Sequence, residues 1–157
     1  MPAILLICTA NICRSPMAEA ILKKLLAERP DADLWHVESA GTWAVDGHAP
    51  AFLSKYVMEQ MGMDISEHRS QSITLRLLEQ FDLFLTMEEE HKAWLAKQYR
   101  DFSDQTYMLS EMVGEYADIP DPINGELSDY AETAFLLQKL LSDGLEHIVT
   151  LALHEEE

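Results

Sequence analysis

The residues whose types and spacing suit chemistry lie close together near the amino terminus. They form the run Cys8-Thr9-Ala10-Asn11-Ile12-Cys13-Arg14-Ser15. A continuous apolar segment precedes the run and Pro16 follows it, so the pattern predicts a turn between a buried strand and a helix. Backbone N–H groups that converge in such a turn bind anions, and the positive end of the following helix strengthens the attraction. The guanidinium of Arg14 adds a fork suited to two oxygens of a phosphate.

Cys8 is the candidate nucleophile in this run. Converging N–H groups and a nearby guanidinium favour the thiolate form of a cysteine, and a thiolate that faces a bound phosphoryl group attacks phosphorus. The alternative is a buried structural cysteine beside a surface arginine, because the bare spacing of Cys8 and Arg14 also arises by chance. The strand before the run and the Ser-Pro helix start after it favour the functional interpretation.

The composition of the chain limits its partners. Its 157 residues include 28 acidic and 11 basic side chains, for a net charge of −17. This acidity argues against nucleic acid and anionic membranes as partners, although a small positive pocket can still bind an anion. The two cysteines are too close in sequence for a disulfide framework, and the first residues lack the basic region of a signal peptide. We therefore expect a cytoplasmic protein. The histidines show no metal-ligand spacing, so we expect neither a metal nor a cofactor.

Strand and helix patterns alternate along the sequence and must position these residues. Apolar runs predict strands at 3–8, 35–42, 81–87 and 106–112. Amphipathic periodicity predicts helices at 15–29, 49–62, 88–99 and 128–153, the last weakened at Gly144. We expect Ser15 to cap the first helix, with Pro16 in its first turn. The alternation indicates one α/β domain over residues 1–157 with a mainly parallel sheet, frayed over its last few residues. Ligands of such sheets bind beyond the carboxyl ends of the strands, where the run at 8–15 falls.

The stretch CTANICRSPMAEA resembles the phosphate-binding loop of the low-molecular-weight protein tyrosine phosphatases. Three further stretches agree in order along nearly the whole chain, namely SAGT at 39–42, HRSQ at 68–71 and the pair Asp121-Pro122. The resemblance implies a flavodoxin-like three-layer sandwich, with a four-stranded parallel sheet and helices on both faces. It also implies an enzyme that hydrolyses phosphotyrosine, in proteins or as other aryl phosphate monoesters, through a phosphocysteine intermediate.

The resemblance assigns three catalytic residues. Cys8 takes the phosphoryl group, and Arg14 binds its equatorial oxygens and stabilises the transition state. Asp121 protonates the leaving phenolate and then activates water. The sequence adds that Asp121 lies between Pro120 and Pro122, which stiffen its loop. An ordinary turn aspartate is the alternative in so acidic a chain.

A supporting network follows from the same resemblance. The whole run from Thr9 to Ser15 is expected to bind phosphate, with Thr9, Ala10, Asn11, Ile12, Cys13, Arg14 and Ser15 contributing. Asn11 is expected to take a left-handed backbone conformation, and Ser15 to donate a hydrogen bond to the Cys8 thiolate. Ser39 and His68 are expected to hold Asn11, although an exposed histidine beside Arg69 is an equal alternative for His68.

Cys13 has two open interpretations. In the family the equivalent cysteine forms a reversible disulfide with the nucleophile, which implies that Cys13 is the redox partner of Cys8. The alternative is a small buried apolar residue, and the two roles are compatible.

The sequence departs from the family pattern at two places. Ala10 stands where the loop often carries Gly, so a slightly altered cradle is expected. Ile123 and Asn124 follow Asp121-Pro122 where many members have aromatic residues, so the cleft wall formed by Trp43, Ile123 and Asn124 is less aromatic. This leaves open the preference between phosphotyrosine and other aryl phosphates. Trp43 is equally interpretable as a plain core or rim residue.

Two other functions compete with this prediction. One is arsenate reduction on the same fold with an external thiol, since an intramolecular relay needs cysteines beyond Cys13 that the chain lacks. The other is a non-enzymatic module that binds phosphate or senses redox state, which would not need Asp121. The expected partner is a phosphotyrosine protein or a small aryl phosphate, and the expected state is a monomer.

Overall fold

The structure is a computed structural model that describes residues 1–155, and the predicted fraying at positions 156 and 157 lies outside the described residues. In this described part of the chain, four parallel strands form a sheet in the order β2-β1-β3-β4. They are β1 (Ala3–Cys8), β2 (His36–Gly41), β3 (Leu83–Thr86) and β4 (Thr106–Met108). The predicted strands at 3–8, 35–42 and 81–87 are therefore confirmed within two residues at each end.

Within residues 1–155, six α-helices surround the sheet. They are α1 (Arg14–Ala27), α2 (Phe52–Gln60), α3 (Leu75–Leu78), α4 (Glu89–Gln98), α5 (Leu127–Asp143) and α6 (Leu145–Ala152), with short 3-10 turns at Ala32–Leu34, Arg100–Gln105 and Leu109–Val113. One core cluster joins a face of the sheet to α1, α2, α5 and α6, and a second joins the other face to α3 and α4. The flavodoxin-like three-layer sandwich is confirmed.

The central strand β1 shows why its sequence is continuously apolar. All six of its residues are buried. Ile4 and Leu6 face the cluster that includes α1 and α5, whereas Leu5 and Ile7 face the cluster that includes α4. A strand covered on both faces has no solvent side on which a polar residue would be favoured.

Two local predictions were wrong in part, and one helix was missed. The first helix begins at Arg14 without a side-chain cap, because the Ser15 hydroxyl bonds the Cys8 sulfur and accepts from Asn11 instead of capping. The predicted strand at 106–112 ends at Met108, since a 3-10 turn follows directly. The short α3 was not predicted at all. The predicted weakness at Gly144 is confirmed, because one helix ends before it and another begins after it.

The strand order determines where a ligand site can form. From β1 the chain crosses to β2 on one side and later to β3 on the other, so the connections diverge between β1 and β3. Ligands of open parallel sheets bind at such a divergence, beyond the carboxyl ends of the strands. Cys8 is the last residue of β1, and Glu88 follows two residues after the end of β3. Within residues 1–155, no helix combines the length and apolar character needed to cross a membrane.

Candidate active site

A cavity of about 200 Å³ opens at the carboxyl end of β1. Its lining consists of residues from the loop after β1 and from the loop before α5, namely Cys8, Thr9, Ala10, Ile12, Cys13, Arg14, Asp121 and Ile123. The structure thus brings together the three residues to which catalysis was assigned. Asp121 joins the other two from a distant part of the chain, since it lies 107 positions from Arg14 in sequence.

Asn11 is the centre of the network that shapes the loop. Its φ of 60° confirms the predicted left-handed conformation. Its side-chain amide donates to Ser15 Oγ at 2.7 Å and to Ser39 Oγ at 2.9 Å, while its Oδ1 accepts from the backbone N–H of Gln71 at 2.9 Å. Its carbonyl oxygen lies 2.8 Å from His68 Nε2, which must donate because a carbonyl only accepts. All four bonds hold one buried residue, so the loop conformation is fixed before any ligand binds.

Cys8 Sγ lies 2.9 Å from Ser15 Oγ. The Ser15 oxygen already accepts from the Asn11 amide, so its own hydrogen is available to donate to the sulfur. The same logic applies to Ser39, which accepts from Asn11 and donates to Glu19 Oε1 at 2.7 Å. Glu19 therefore completes the chain of hydrogen bonds, and sequence reasoning missed it.

The end of β2 supports the loop from the side. The backbone N–H groups of Thr42 and Trp43 donate to the carbonyl oxygens of Cys8 and Thr9, each at 2.9 Å. Gly41 allows this approach, because a Cβ at that position would overlap the Thr9 carbonyl oxygen. The third residue of the SAGT stretch must therefore lack a side chain. Ala10 lies outside the positive-φ region, so its methyl group is tolerated in place of the usual glycine hydrogen.

Arg14 is 1% exposed, and its Nη1 is its most closely held nitrogen. Its Nη1 donates to Glu88 Oε2 at 2.6 Å and to the Ile119 carbonyl oxygen at 2.7 Å. Its Nη2 lies 3.4 Å from Asp121 Oδ2, and its buried Nε has no hydrogen-bond partner within residues 1–155. A buried N–H without a partner costs about 1–3 kcal/mol. The edge formed by Nε and Nη2 is therefore a fork prepared for an anion that enters the cavity.

Asp121 occupies the opposite side of the cavity entrance. Its side chain is 35% exposed, and its Oδ1 accepts from the backbone N–H of Ile123 at 3.0 Å. This bond, together with the flanking Pro120 and Pro122, orients the other carboxylate oxygen toward Arg14. A carboxyl group held in this position is placed to exchange a proton with a group in the cavity.

The junction of β3 and α4 contributes two residues that sequence reasoning missed. Glu88 anchors Arg14, and the backbone N–H of Glu88 donates to His91 Nδ1 at 3.1 Å. Burial, and then the nearby Arg14 charge, lower the pKa of His91 from 6.5 to about 4. Both residues follow β3, which pairs with β1. The acidic run directly after the third strand is the one sequence signal that could have pointed to this junction.

Cys13 and the expected cleft wall have distinct surroundings. Cys13 Sγ lies 3.7 Å from the hydroxyl of Tyr130, and burial raises the pKa of the Cys13 thiol to about 11. Both cysteines are free, so the redox pairing of Cys13 with Cys8 stays a prediction. Ile123 lines the cavity, whereas Trp43 and Asn124 are not among the described residues that do. Trp43 is 83% exposed, so it is a surface residue.

A rigid anion cradle that presents a cysteine and a half-anchored arginine at the end of a central parallel strand defines a class, the cysteine-dependent phosphatases. The family model for "Low molecular weight phosphotyrosine protein phosphatase" matches residues 3–151. The chain belongs to this family, as its sequence predicted. Its fold is that of a cysteine-based phosphatase, and neither the arsenate reductase nor the binding-module alternative is favoured.

Individual relatives agree over almost the whole chain. The chain is 31% identical over 145 residues to the low molecular weight protein-tyrosine-phosphatase Ptp of Acinetobacter johnsonii, covering 92% of this chain and 96% of that protein. It is 36% identical over 140 residues to a protein-arginine-phosphatase of Bacillus subtilis, covering 88% and 91%. The crystal structure of a low molecular weight protein tyrosine phosphatase from T. tengcongensis matches with a TM-score of 0.85 and 34% identity, covering 94% of this chain and 99% of that one.

Proposed function

We propose that this protein hydrolyses phosphotyrosine, in proteins or as small aryl phosphate monoesters, with Cys8, Arg14 and Asp121 as its catalytic residues. The observation that carries the proposal is that Arg14 lines the same cavity as Cys8, and that on its Nε–Nη2 edge the buried Nε has no hydrogen-bond partner within the described residues. A tetrahedral dianion that accepts from this edge and from the loop backbone would satisfy the unpaired N–H.

In the first step the Cys8 thiolate attacks phosphorus, and the bond from phosphorus to the phenolic oxygen breaks. Asp121, in its protonated form, gives its proton to that oxygen, so a neutral phenol leaves. The Arg14 fork and the loop N–H groups bind the equatorial oxygens, whose charge is redistributed in the transition state. The products of this step are a phenol and a phosphocysteine.

In the second step a water molecule attacks the phosphocysteine. The Asp121 carboxylate accepts a proton from this water, and the sulfur–phosphorus bond breaks to release inorganic phosphate. The Ser15 hydroxyl, 2.9 Å from the sulfur, donates to the departing thiolate and stabilises it. The enzyme returns to its starting state with Asp121 protonated and Cys8 anionic.

The cavity lining favours a phenyl ring over a charged side chain. Some relatives are named protein-arginine-phosphatase, and a phosphoarginine substrate would bring a cationic guanidinium group into the cavity. Ile12 and Ile123 provide apolar walls, while the nearby carboxylates of Asp121 and Glu88 already pair with Arg14. An aryl group gains from apolar contact, whereas a guanidinium would need a free carboxylate. Phosphotyrosine is therefore the proposed substrate class.

The same proposal covers the domain organisation, the oligomeric state, the location and the partners of the protein. Residues 1–157 act as one phosphatase domain, since both core clusters of the described part share a single sheet. The protein works as a monomer in the cytoplasm on phosphorylated proteins or small aryl phosphates. Its net charge of −17 supports the expectation that it binds neither nucleic acid nor anionic membranes.

Steady-state hydrolysis of four substrates tests the proposal. We expect para-nitrophenyl phosphate and a phosphotyrosine peptide to be hydrolysed, and phosphoserine and phosphoarginine peptides of the same sequence to be at least tenfold slower in kcat/KM. Cys8→Ser, which keeps the size of the side chain, should abolish turnover while still binding inorganic phosphate. Faster hydrolysis of the phosphoarginine peptide would contradict the substrate class, and full activity of Cys8→Ser would contradict the mechanism.

A further inference from the structure

Thr9 and His91 form a hydrogen-bonded pair that the mechanism above does not use. Thr9 is half-buried and lines the catalytic cavity beside Cys8 and Arg14. Its Oγ1 lies 2.9 Å from His91 Nε2. His91 is 2% exposed and belongs to the first turn of α4, so the pair joins the nucleophile loop to the element that follows β3.

The hydrogen bonds of His91 determine which ring nitrogen carries the proton. His91 Nδ1 lies 3.1 Å from the backbone nitrogen of Glu88, whose N–H can only donate. Nδ1 is therefore the acceptor and has no hydrogen. The ring is neutral at physiological pH, because burial lowers the pKa of His91 to about 4. A neutral ring with bare Nδ1 carries its proton on Nε2, which consequently donates to Thr9 Oγ1.

This donation determines what the Thr9 hydroxyl can do. Its oxygen already accepts from His91, and within residues 1–155 Thr9 Oγ1 has no other hydrogen-bond partner. The hydroxyl hydrogen is therefore left to donate, in a cavity that is also lined by the side chains of Cys8, Arg14 and Asp121. The Thr9 hydroxyl therefore gives the cavity an uncharged hydrogen-bond donor beside the charged guanidinium of Arg14.

We propose that the Thr9 hydroxyl donates to an oxygen of the bound phosphoryl group, and that His91 is the positioning residue that directs this donor. The proposal rests on the proposed phosphatase function. Glu88 supports both donors to the phosphoryl group. Its carboxylate accepts from Arg14, and its backbone N–H donates to His91, which orients the Thr9 hydroxyl. Thr9 is then a catalytic residue that contacts substrate, and His91 acts only through it.

Two matched substitutions at Thr9 test the donor. Thr9→Val removes the hydroxyl at almost constant shape, and Thr9→Ser keeps it. A hydrogen bond to a charged group that is formed equally in the ground state and in the transition state changes KM more than kcat. We expect Thr9→Val to raise KM for para-nitrophenyl phosphate, and Kd for inorganic phosphate, about tenfold with kcat within twofold. Thr9→Ser should stay within twofold of the wild type in all three.

A double-mutant cycle tests the role of His91. In His91→Asn the side-chain oxygen can still accept from the Glu88 N–H, but the Nε2 donor is lost. We expect KM to rise severalfold in this variant, and the double variant Thr9→Val/His91→Asn to be no worse than Thr9→Val alone. Nitrogen NMR of His91 in the wild-type protein provides a test that needs no variant, with the proton expected on Nε2.

Three results would overturn the proposal. They are unchanged KM and phosphate affinity in Thr9→Val, additive effects in the double variant, and a proton on Nδ1 of His91. Calorimetric titration with phosphate measures the donor without turnover. A wild-type protein that binds phosphate through Thr9 but hydrolyses no ester would therefore contradict the proposed function and leave this inference intact.

Discussion

Arg14 divides its five N–H bonds between structure and ligand. Its Nη1 donates to Glu88 and to the Ile119 carbonyl oxygen, and its Nη2 contacts Asp121 at 3.4 Å, so within the described residues Nε is the nitrogen left for a ligand. Such an anchor restricts the rotamers of a long side chain before the substrate arrives, so less conformational entropy is lost on binding. At the scale of single residues, the site depends on groups that never touch the substrate.

The anchor leads to a prediction for Glu88. We expect Glu88→Gln to lower kcat/KM for para-nitrophenyl phosphate roughly tenfold or more, because a buried guanidinium loses its charged partner. Steady-state kinetics measures the loss. Glu90→Gln makes the same chemical change at an exposed neighbour and is the matched control. Equal activity of the two variants would show that Arg14 needs no carboxylate to hold it.

Asp121 leads to a second prediction at this scale. We expect Asp121→Ala to slow hydrolysis of phenyl phosphate about 10²–10⁴-fold, because a poor leaving group depends on protonation. Para-nitrophenyl phosphate, whose leaving group is stable as an anion, should lose much less. Rates for the two esters are compared in the same preparation, with the exposed Asp101→Ala as the control. An unchanged rate for phenyl phosphate would remove Asp121 from the role of general acid.

At the scale of elements, the amino end of α4 is as much a part of the site as the loop after β1. Sheet pairing of β1 with β3 brings the two together. His91 links them, since it contacts Thr9 in one and Glu88 in the other. Its protonation state therefore affects the stability of the contact between these two elements.

The depressed pKa of His91 predicts how stability depends on pH. The folded protein binds this proton only near pH 4, whereas the unfolded chain binds it near 6.5. The neutral histidine thus stabilises the folded state fully above pH 6.5, and this stabilisation is lost as the pH falls toward 4. The difference between the two pKa values of His91 corresponds to about 3 kcal/mol of folding free energy. Urea unfolding at pH 7 and at pH 4.5 should show a drop in the wild type that exceeds the drop in His91→Asn by about 2–3 kcal/mol. An equal drop in the free energy of unfolding for the two proteins would contradict the lowered pKa of His91.

The sequence predicted the elements that local patterns determine. An apolar run specifies β1, and the spacing from Cys8 to Arg14 with a following Ser-Pro specifies the loop and the start of α1. The hydrogen-bond partners of Arg14 could not be predicted from local sequence patterns, because Glu88 and Ile119 lie 74 and 105 residues away. No local pattern distinguishes Glu88 among the 28 acidic residues, because its contact with Arg14 depends on which strands are neighbours in the sheet. The failed Ser15 cap has a different cause, because Cys8 and Asn11 in the preceding loop bind the Ser15 hydroxyl in place of the helix backbone.

At the scale of the whole molecule, a net charge of −17 surrounds a site built for an anion. The local donors attract a phosphate dianion once it has entered, but the distant carboxylates repel it during approach. We expect kcat/KM for para-nitrophenyl phosphate to rise about twofold between 0.02 and 0.3 M sodium chloride, because salt screens that repulsion. A phosphotyrosine peptide flanked by lysines serves as the control and should show the opposite trend. An unchanged kcat/KM for the small dianion would indicate that the net charge has no influence on its approach, and a fall would show that attraction by the local donors outweighs the distant repulsion.

The unpaired N–H of Arg14 has a consequence for the lifetime of the protein. Any oxyanion that caps this donor binds the native state and not the unfolded chain, so it must protect the protein against heat and proteases. At a hundred times its dissociation constant, such an anion adds about 2.7 kcal/mol to the free energy of unfolding. Inorganic phosphate, the end product of the proposed reaction, is therefore also a preservative of the enzyme that releases it.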